Sequence, residues 1–257
     1  MFKRILVPLD GSELAERALA PALVVAKQYK AELLLLNAPM IAPALTAVVH
    51  SYDIPAFDAS MKQMHAEAEQ YLTYKRDTLR HEGLVIRKQV TEGDPATVIV
   101  DTATEQHADL IIMSTHGYTG MERWVMGSTA ERVLQSAPCP VLILHSRQPI
   151  FKMAITLDGS ELAEQALAPG LAVAEAFSAA VTLLRVKEPF AKPEPSLVRH
   201  LDHVEPGLGQ HMLDDFYGHV DNYLERMRIE SQAHYPQLDV LSLQPPVAPT
   251  RRLYRKQ

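Results

Sequence analysis

Two stretches of the sequence carry residue types suited to holding a phosphate. The first is Val7-Pro8-Leu9-Asp10-Gly11-Ser12, directly after the apolar run Ile5-Leu6-Val7. The second begins at Met113-Ser114-Thr115-His116-Gly117, after the apolar run Leu110-Ile111-Ile112, continues through nine residues from Tyr118 to Met126, and resumes at Gly127-Ser128-Thr129. Glycines let a backbone approach an anion closely, and the free N–H groups of a helix start supply donors at the positive end of the helix dipole. Ser128 and Thr129 add hydroxyl donors, His116 adjoins the loop as either a phosphate contact or a backbone support, and the Asp10 carboxylate is placed to accept a hydrogen bond from an adenine or a ribose. Local chemistry offers simpler roles as well. Asp10-Gly11 is a favoured turn pair, Ser12 is a natural helix N-cap, and a glycine pair by itself is a weak motif.

These residues need an architecture that puts strand ends beside helix starts. Strands are expected at about 4–8, 32–38, 84–91, 108–113 and 140–145. Helices are expected at about 12–29, 59–81, from Pro95 to about His107, and from Ala130 to Gln135. Pro95 falls in a first helical turn, where its missing N–H costs nothing. Residues 39–58, with three prolines, read as a loop. Strict alternation of strand and helix predicts an α/β, doubly wound, mainly parallel five-stranded sheet. In such sheets ligands sit beyond the carboxyl ends of the strands, where the strand order reverses. Both candidate stretches leave strands at that end.

The chain also repeats itself. LDGSELAERALAP at 9–21 returns as LDGSELAEQALAP at 157–169, an offset of 148 residues, with apolar runs in matching places before and after. A repeat this long is a duplicated domain, so the expected organisation is 1–147 followed by 148–257. The second copy is expected to contain a strand, helix and strand over about 150–186, a proline-rich loop from Glu188 to Gly209, a helix at about 212–233 and a strand at about 238–243. Nothing in it corresponds to residues 92–146, so it reads as a truncated copy without the glycine loop. It keeps Asp158, replaces Pro8 by Thr156, and is expected not to bind nucleotide on its own.

Composition narrows the function classes. A formal charge of −6 disfavours general nucleic-acid binding. One cysteine excludes an internal disulfide framework and suits a reducing compartment. The start MFKRILVPLDGSE reads neither as a signal peptide nor as a membrane span, so a cytoplasmic protein with no membrane partner is expected. Cys139, between Pro138 and Pro140, reads as a structural thiol. The spacing of His200, His203 and His211 matches no familiar metal-ligand pattern, so no protein-held metal is expected.

The sequence resembles the universal stress protein family in a tandem form. The likeness is carried by Ile5-Leu6-Val7-Pro8-Leu9-Asp10-Gly11-Ser12, by Glu92-Gly93-Asp94-Pro95, by Ala108 through Gly117, by Gly127-Ser128-Thr129-Ala130-Glu131-Arg132-Val133-Leu134 and by Ala137-Pro138-Cys139-Pro140-Val141-Leu142. It covers residues 1–146, and in the second copy about 150–186 well. The resemblance implies an adenine-nucleotide α-hydrolase-like fold. The ATP-binding branch of that family carries glycine, two residues, glycine, nine residues, glycine and serine or threonine. Here Ser114 takes the first glycine position, and Gly117, Gly127 and Ser128 match the others.

By resemblance, Pro8, Asp10 and Ala38 line the adenosine pocket, Met113, Ser114 and Gly117 form its other wall, and Gly127, Ser128 and Thr129 hold the phosphates of ATP with its Mg2+; Leu9 and His116 complete the expected nucleotide-binding set. The implied function is an ATP-binding stress-response or regulatory protein that acts through nucleotide-dependent conformation, dimerisation and an unidentified protein partner. The alternatives are a nucleotide-independent dimerising scaffold, favoured by Ser114, and a slow ATPase or nucleotidyl-transfer enzyme. No nucleophile or general base is legible. A homodimer is expected through the strand at 141–144.

Overall fold

The computed structural model describes residues 1–40, 55–114, 126–145, 150–185 and 195–243. It divides into two compact units, Met1–Pro149 and Ile150–Gln257.

In the first unit the strands are β1 (Arg4–Pro8), β2 (Glu32–Asn37), β3 (Ile86–Val90), β4 (Leu110–Ser114) and β5 (Val141–Leu144). They form one parallel sheet in the order β3-β2-β1-β4-β5. The order reverses between β1 and β4, the expected switch point. A parallel sheet needs cover on both faces, which is why its central strands are apolar without alternation. Ile5, Leu6 and Val7 are each fully buried. On one face Leu6, Leu34, Leu36 and Ile111 pack against Ala96, Ile99 and Ala103 of α4 (Pro95–Glu105) and Ala130 and Val133 of α5 (Ser128–Ser136).

The single helix expected at 12–29 is two: α1 (Glu13–Glu16) and α2 (Leu19–Tyr29), parted at Arg17-Ala18. Pro21 is the reason. It has no N–H to bond the Arg17 carbonyl, and its ring would collide there, so the helix restarts with Pro21 in its first turn. Pro169 has the same effect in the second copy, parting Glu161–Glu164 from Leu167–Phe177.

Two loop expectations are also corrected. α3 begins at Pro55 rather than near 59 and runs to Thr78, and a 3-10 turn at Arg80–Glu82 closes at Gly83 (φ 72°). In the second unit the segment 188–209, expected as loop, contains a helix at Pro195–Val204. In both places a proline counted as a loop marker is the first residue of a helix, the position it suits best. The remaining parts of those expected loops, 41–54 and 186–194, lie outside the described residues.

The second unit consists of β6 (Lys152–Thr156), α6 (Glu161–Glu164), α7 (Leu167–Phe177), β7 (Ala180–Leu184), α8 (Pro195–Val204), α9 (Leu208–His234) and β8 (Val240–Leu243). Its parallel sheet has three strands in the order β6-β7-β8. Its core joins Ile155, Val181, Leu183 and Val240 with Leu171 and Ala174 of α7 and Leu224 and Met227 of α9. This is the front half of the first unit's fold, a partial second copy. No described helix is long and apolar enough to cross a membrane.

Candidate functional site

The carboxyl ends of β1, β2 and β4 meet the start of α5 around a cleft of about 490 Å3. Pro8, Leu9, Asp10, Ala38, Met113, Ser114, Gly127, Ser128 and Thr129 all line it. His116 and Gly117 lie outside the described residues. The structure thus brings nine of the eleven expected residues to one cavity, although they come from four separate elements.

The β1 exit is held by a local network. The Leu9 N–H donates to the Leu36 carbonyl (2.8 Å), and the Asn37 side-chain amide donates to the Leu9 carbonyl (2.8 Å). Asn37 is one of few buried polar residues, and its amide ties the β1 exit to β2. Gly11 then takes φ 85°, a conformation glycine adopts without strain. One Asp10 carboxylate oxygen accepts from the Ser12 N–H (2.9 Å), and the Ser12 hydroxyl accepts from the Ala15 N–H (3.1 Å) as the N-cap of α1. Asp158 and Ser160 repeat both bonds at 2.8 and 3.1 Å, with Gly159 at φ 92°. The turn-forming role of Asp10 is therefore present in both copies, and in the first its carboxylate also lines the cleft.

The helix starts in this unit are not equivalent. Ser12 caps α1, and Asp94 caps α4 through a bond from the Thr97 N–H (3.0 Å). At α5 the N-cap is Gly127 (φ −64°, ψ 146°), which supplies no side-chain cap. The first N–H groups of α5 therefore face the cleft without an acceptor from their own cap. Among the described residues it is the uncapped helix start that lies at the cleft, an arrangement suited to an external anion.

Behind the cleft, Pro95 and Ile99 of α4 complete the wall. The Gly93 N–H donates to the Pro39 carbonyl (3.3 Å), drawing the 92–94 turn toward the β2 exit. Arg132 on α5 grips Asp94 with two parallel bonds, Nη1 to Oδ1 at 2.7 Å and Nη2 to Oδ2 at 2.8 Å. This fork joins the starts of α4 and α5. Spacing in the sequence could not pair residues 38 positions apart. Asn37 had a visible signal, a polar residue closing the run Leu33–Leu36.

The Arg132 bonds, helped by the Thr97 N–H, hold the Asp94 carboxyl far below its ordinary value of 3.8. A carboxylate with a depressed folded-state pKa adds stability above its unfolded pKa, and that stability is lost as pH falls through the folded value. Both side chains of the pair are more than a third exposed, so solvent screens the pair and its own contribution is small. The cap adds about 0.5–2 kcal/mol. Asp94→Ala is therefore expected to cost about 1–2 kcal/mol at pH 7. Urea unfolding is expected to show the gap from wild type narrowing below pH 4, and an unchanged gap at pH 3 would refute the assignment.

Cys139 is half-buried, and burial, with the Asp109 charge adding to it, pushes its thiol up to about 11. It stays protonated at neutral pH and is not a nucleophile. Among the described residues no three His, Cys, Asp or Glu side chains converge as a metal site.

These features define a doubly wound α/β protein with a cleft at the carboxyl ends of its strands, where such sheets place their ligands. The universal stress protein family model matches residues 1–145, and the chain belongs to that family. It is 32% identical over 144 residues to the universal stress protein MJ0531 of Methanocaldococcus jannaschii, covering 56% of this chain and 82% of that one. It is 29% identical over 150 residues to the universal stress protein YxiE of Bacillus subtilis, covering 56% and 99%. A universal stress protein structure from Archaeoglobus fulgidus shares the fold over 95% of this chain and 79% of its own, with a TM-score of 0.62 at 16% identity.

Proposed function

We propose that the first unit binds ATP with Mg2+ in the strand-end cleft, and that the protein is a cytoplasmic stress-response regulator read through its nucleotide state. The observation that carries this reading is the α5 start. Gly127 leaves backbone donors uncapped at the rim of a cleft that also holds Ser128 and Thr129. The cleft volume falls in the roughly 300–1,000 Å3 range of small-molecule sites. On this reading the apolar wall from Leu9, Ala38, Met113 and Ile99 takes the base, the Asp10 carboxylate accepts from the base or the ribose, and the α5 start takes the phosphates. Mg2+ would bridge phosphate oxygens and draw few ligands from the protein. Bound metal and a polarised phosphate allow at most slow hydrolysis. The β5 edge of the sheet, whose four side chains are only half-buried, is the proposed homodimer contact.

Only the first unit is assigned a nucleotide. In the second, Arg185 stands 148 residues after Asn37, and its guanidinium lies so near Gly159 that a Cβ there would be 2.9 Å from Nη1. It also stacks over the Tyr223 ring at 5.3 Å. A cation thus fills the place where the first unit has a neutral amide. Titration calorimetry with Mg-ATP is expected to give one site per chain. Two sites would refute the assignment to the first unit, and none at millimolar ATP would favour the scaffold reading that Ser114 supports.

A further inference from the structure

The two copies differ most at one strand edge. In the first unit β1 is central, and its outer side is taken by β4, with the Asp109 N–H donating to the Arg4 carbonyl at 2.9 Å. In the second unit the equivalent strand, β6, is an edge of its sheet among the described residues. The direction of its backbone groups follows from its inner partner. The Phe151 carbonyl accepts from Ala180 (3.0 Å) and the Leu157 N–H donates to Leu184 (2.8 Å), so odd-numbered residues face β7. The N–H and C=O groups of Lys152, Ala154 and Thr156 therefore point outward, away from β7. Beside them, Phe151 is 70% and Leu162 76% exposed, whereas Leu14, the counterpart of Leu162, is half-buried on a helix that touches β4.

The face and the edge of this sheet have been treated differently. Leu6 and Leu34, buried under α4 and α5 in the first unit, are replaced at the 148-residue offset by Ala154 and Thr182. The bare face has become smaller and more polar on those two strands, as solvent contact requires. The edge keeps one guard, the exposed Lys152 at the first position of the strand; KMAIT otherwise contains no proline and no glycine.

We propose that β6 pairs antiparallel with β6 of a second copy of this chain, about a two-fold axis at Ala154. In that register the hydrogen-bonded pairs are Ala154 with Ala154, and Lys152 with Thr156 twice, which uses every outward backbone group of the strand. Met153 meets Ile155 on the core side. The one charge on the strand, Lys152, faces a threonine rather than its own copy, and like charges directly opposite would be destabilising. The Cα atoms come closest at the non-hydrogen-bonded pair, Met153 with Ile155, while the alanines at the axis put no bulk between the two strands. The two-fold axis is normal to the sheet, so both helical layers and both Leu162 side chains lie on the same side of a continuous six-stranded sheet. The contact is isologous, as closed dimers require.

The test places charge on the axis. Ala154 is exposed, so Ala154→Lys and Ala154→Glu leave the core untouched. Each variant alone is expected to self-associate at least tenfold more weakly than wild type by light scattering. An equimolar mixture of the two is expected to recover the wild-type mass, because Lys then faces Glu. The mixing result depends on position 154 alone and separates this contact from the one at β5. Calorimetric ATP titration, expected to be unchanged in both variants, reports separately on the first unit. Unchanged mass in the single variants, or no recovery on mixing, would overturn the proposal. Those outcomes would mean that β5 alone dimerises the chain, or that the edge is covered within one chain.

Discussion

Gly127→Asp is expected to abolish the thermal stabilisation of the first unit by Mg-ATP without weakening the unliganded protein. In wild type, nucleotide at a hundred times its dissociation constant adds about 2.7 kcal/mol. For a unit of this size that is a rise of roughly 5–10 °C in the unfolding midpoint. The backbone at Gly127 (φ −64°, ψ 146°) is ordinary extended geometry that aspartate adopts freely. An aspartate at the N-cap accepts from the second or third helical N–H and stabilises a helix by a few tenths of a kcal/mol relative to glycine. The same carboxylate consumes the donors meant for the phosphates and sets a negative charge against them. The two effects have opposite signs, which separates lost binding from lost folding. Gly127→Ser, a cap without charge, is expected to fall between. A full ATP-induced shift in the aspartate variant would remove the phosphates from the α5 start.

The parts of this architecture that were legible in the sequence are those set by neighbours along the chain. Ile5-Leu6-Val7 and Leu110-Ile111-Ile112 announce buried parallel strands because both of their faces are covered. Ser12 marks a helix start through a bond within a single turn, and Pro95 marks one because its fixed φ and missing N–H suit the first helical turn. The illegible parts depend on partners far away or on a residue with two meanings. Proline breaks α1 from α2 at Pro21 yet begins helices at Pro55 and Pro195, and only the surrounding packing decides which. The Asp94–Arg132 fork is invisible because its partners meet only after β4 has crossed the sheet. Gly127 of the glycine pattern lines the cleft, and what distinguishes it there is what the glycine omits, a capping side chain.

Comparison of the copies also explains why the repeated motif LDGSELAE is a poor marker of binding. Both copies use it identically, as an aspartate turn followed by a serine cap. That is a folding role, which a unit without the α5 start still needs. The residues that differ between the copies are more informative. Asn37 against Arg185 changes the exit of the second strand, and Leu6 and Leu34 against Ala154 and Thr182 follow the loss of the covering helices. A motif retained in both copies therefore reports on the turn, and the divergent positions report on the contacts each unit makes.

Leu183→Ala is expected to unfold the second unit selectively while leaving the nucleotide response intact. Leu183 is fully buried at the centre of β7, inside the core that joins this sheet to α7 and α9. Truncating such a leucine costs about 2–5 kcal/mol, the lost transfer energy plus the cavity left behind. A small domain commonly has only about 5–15 kcal/mol in total. Among the described residues the helices of the second unit pack on one face of its sheet, which limits its reserve. Its transition is expected to fall by roughly 10–20 °C. The first unit has its own core and none of its cleft residues come from beyond residue 130, so its Mg-ATP shift is expected to stay within error of wild type. Calorimetry that resolves two transitions, one moved by Leu183→Ala and the other by ATP, is the expected record. A single transition that loses both would mean that the two units unfold as one cooperative block and that the second sets the stability on which the proposed nucleotide binding in the first depends.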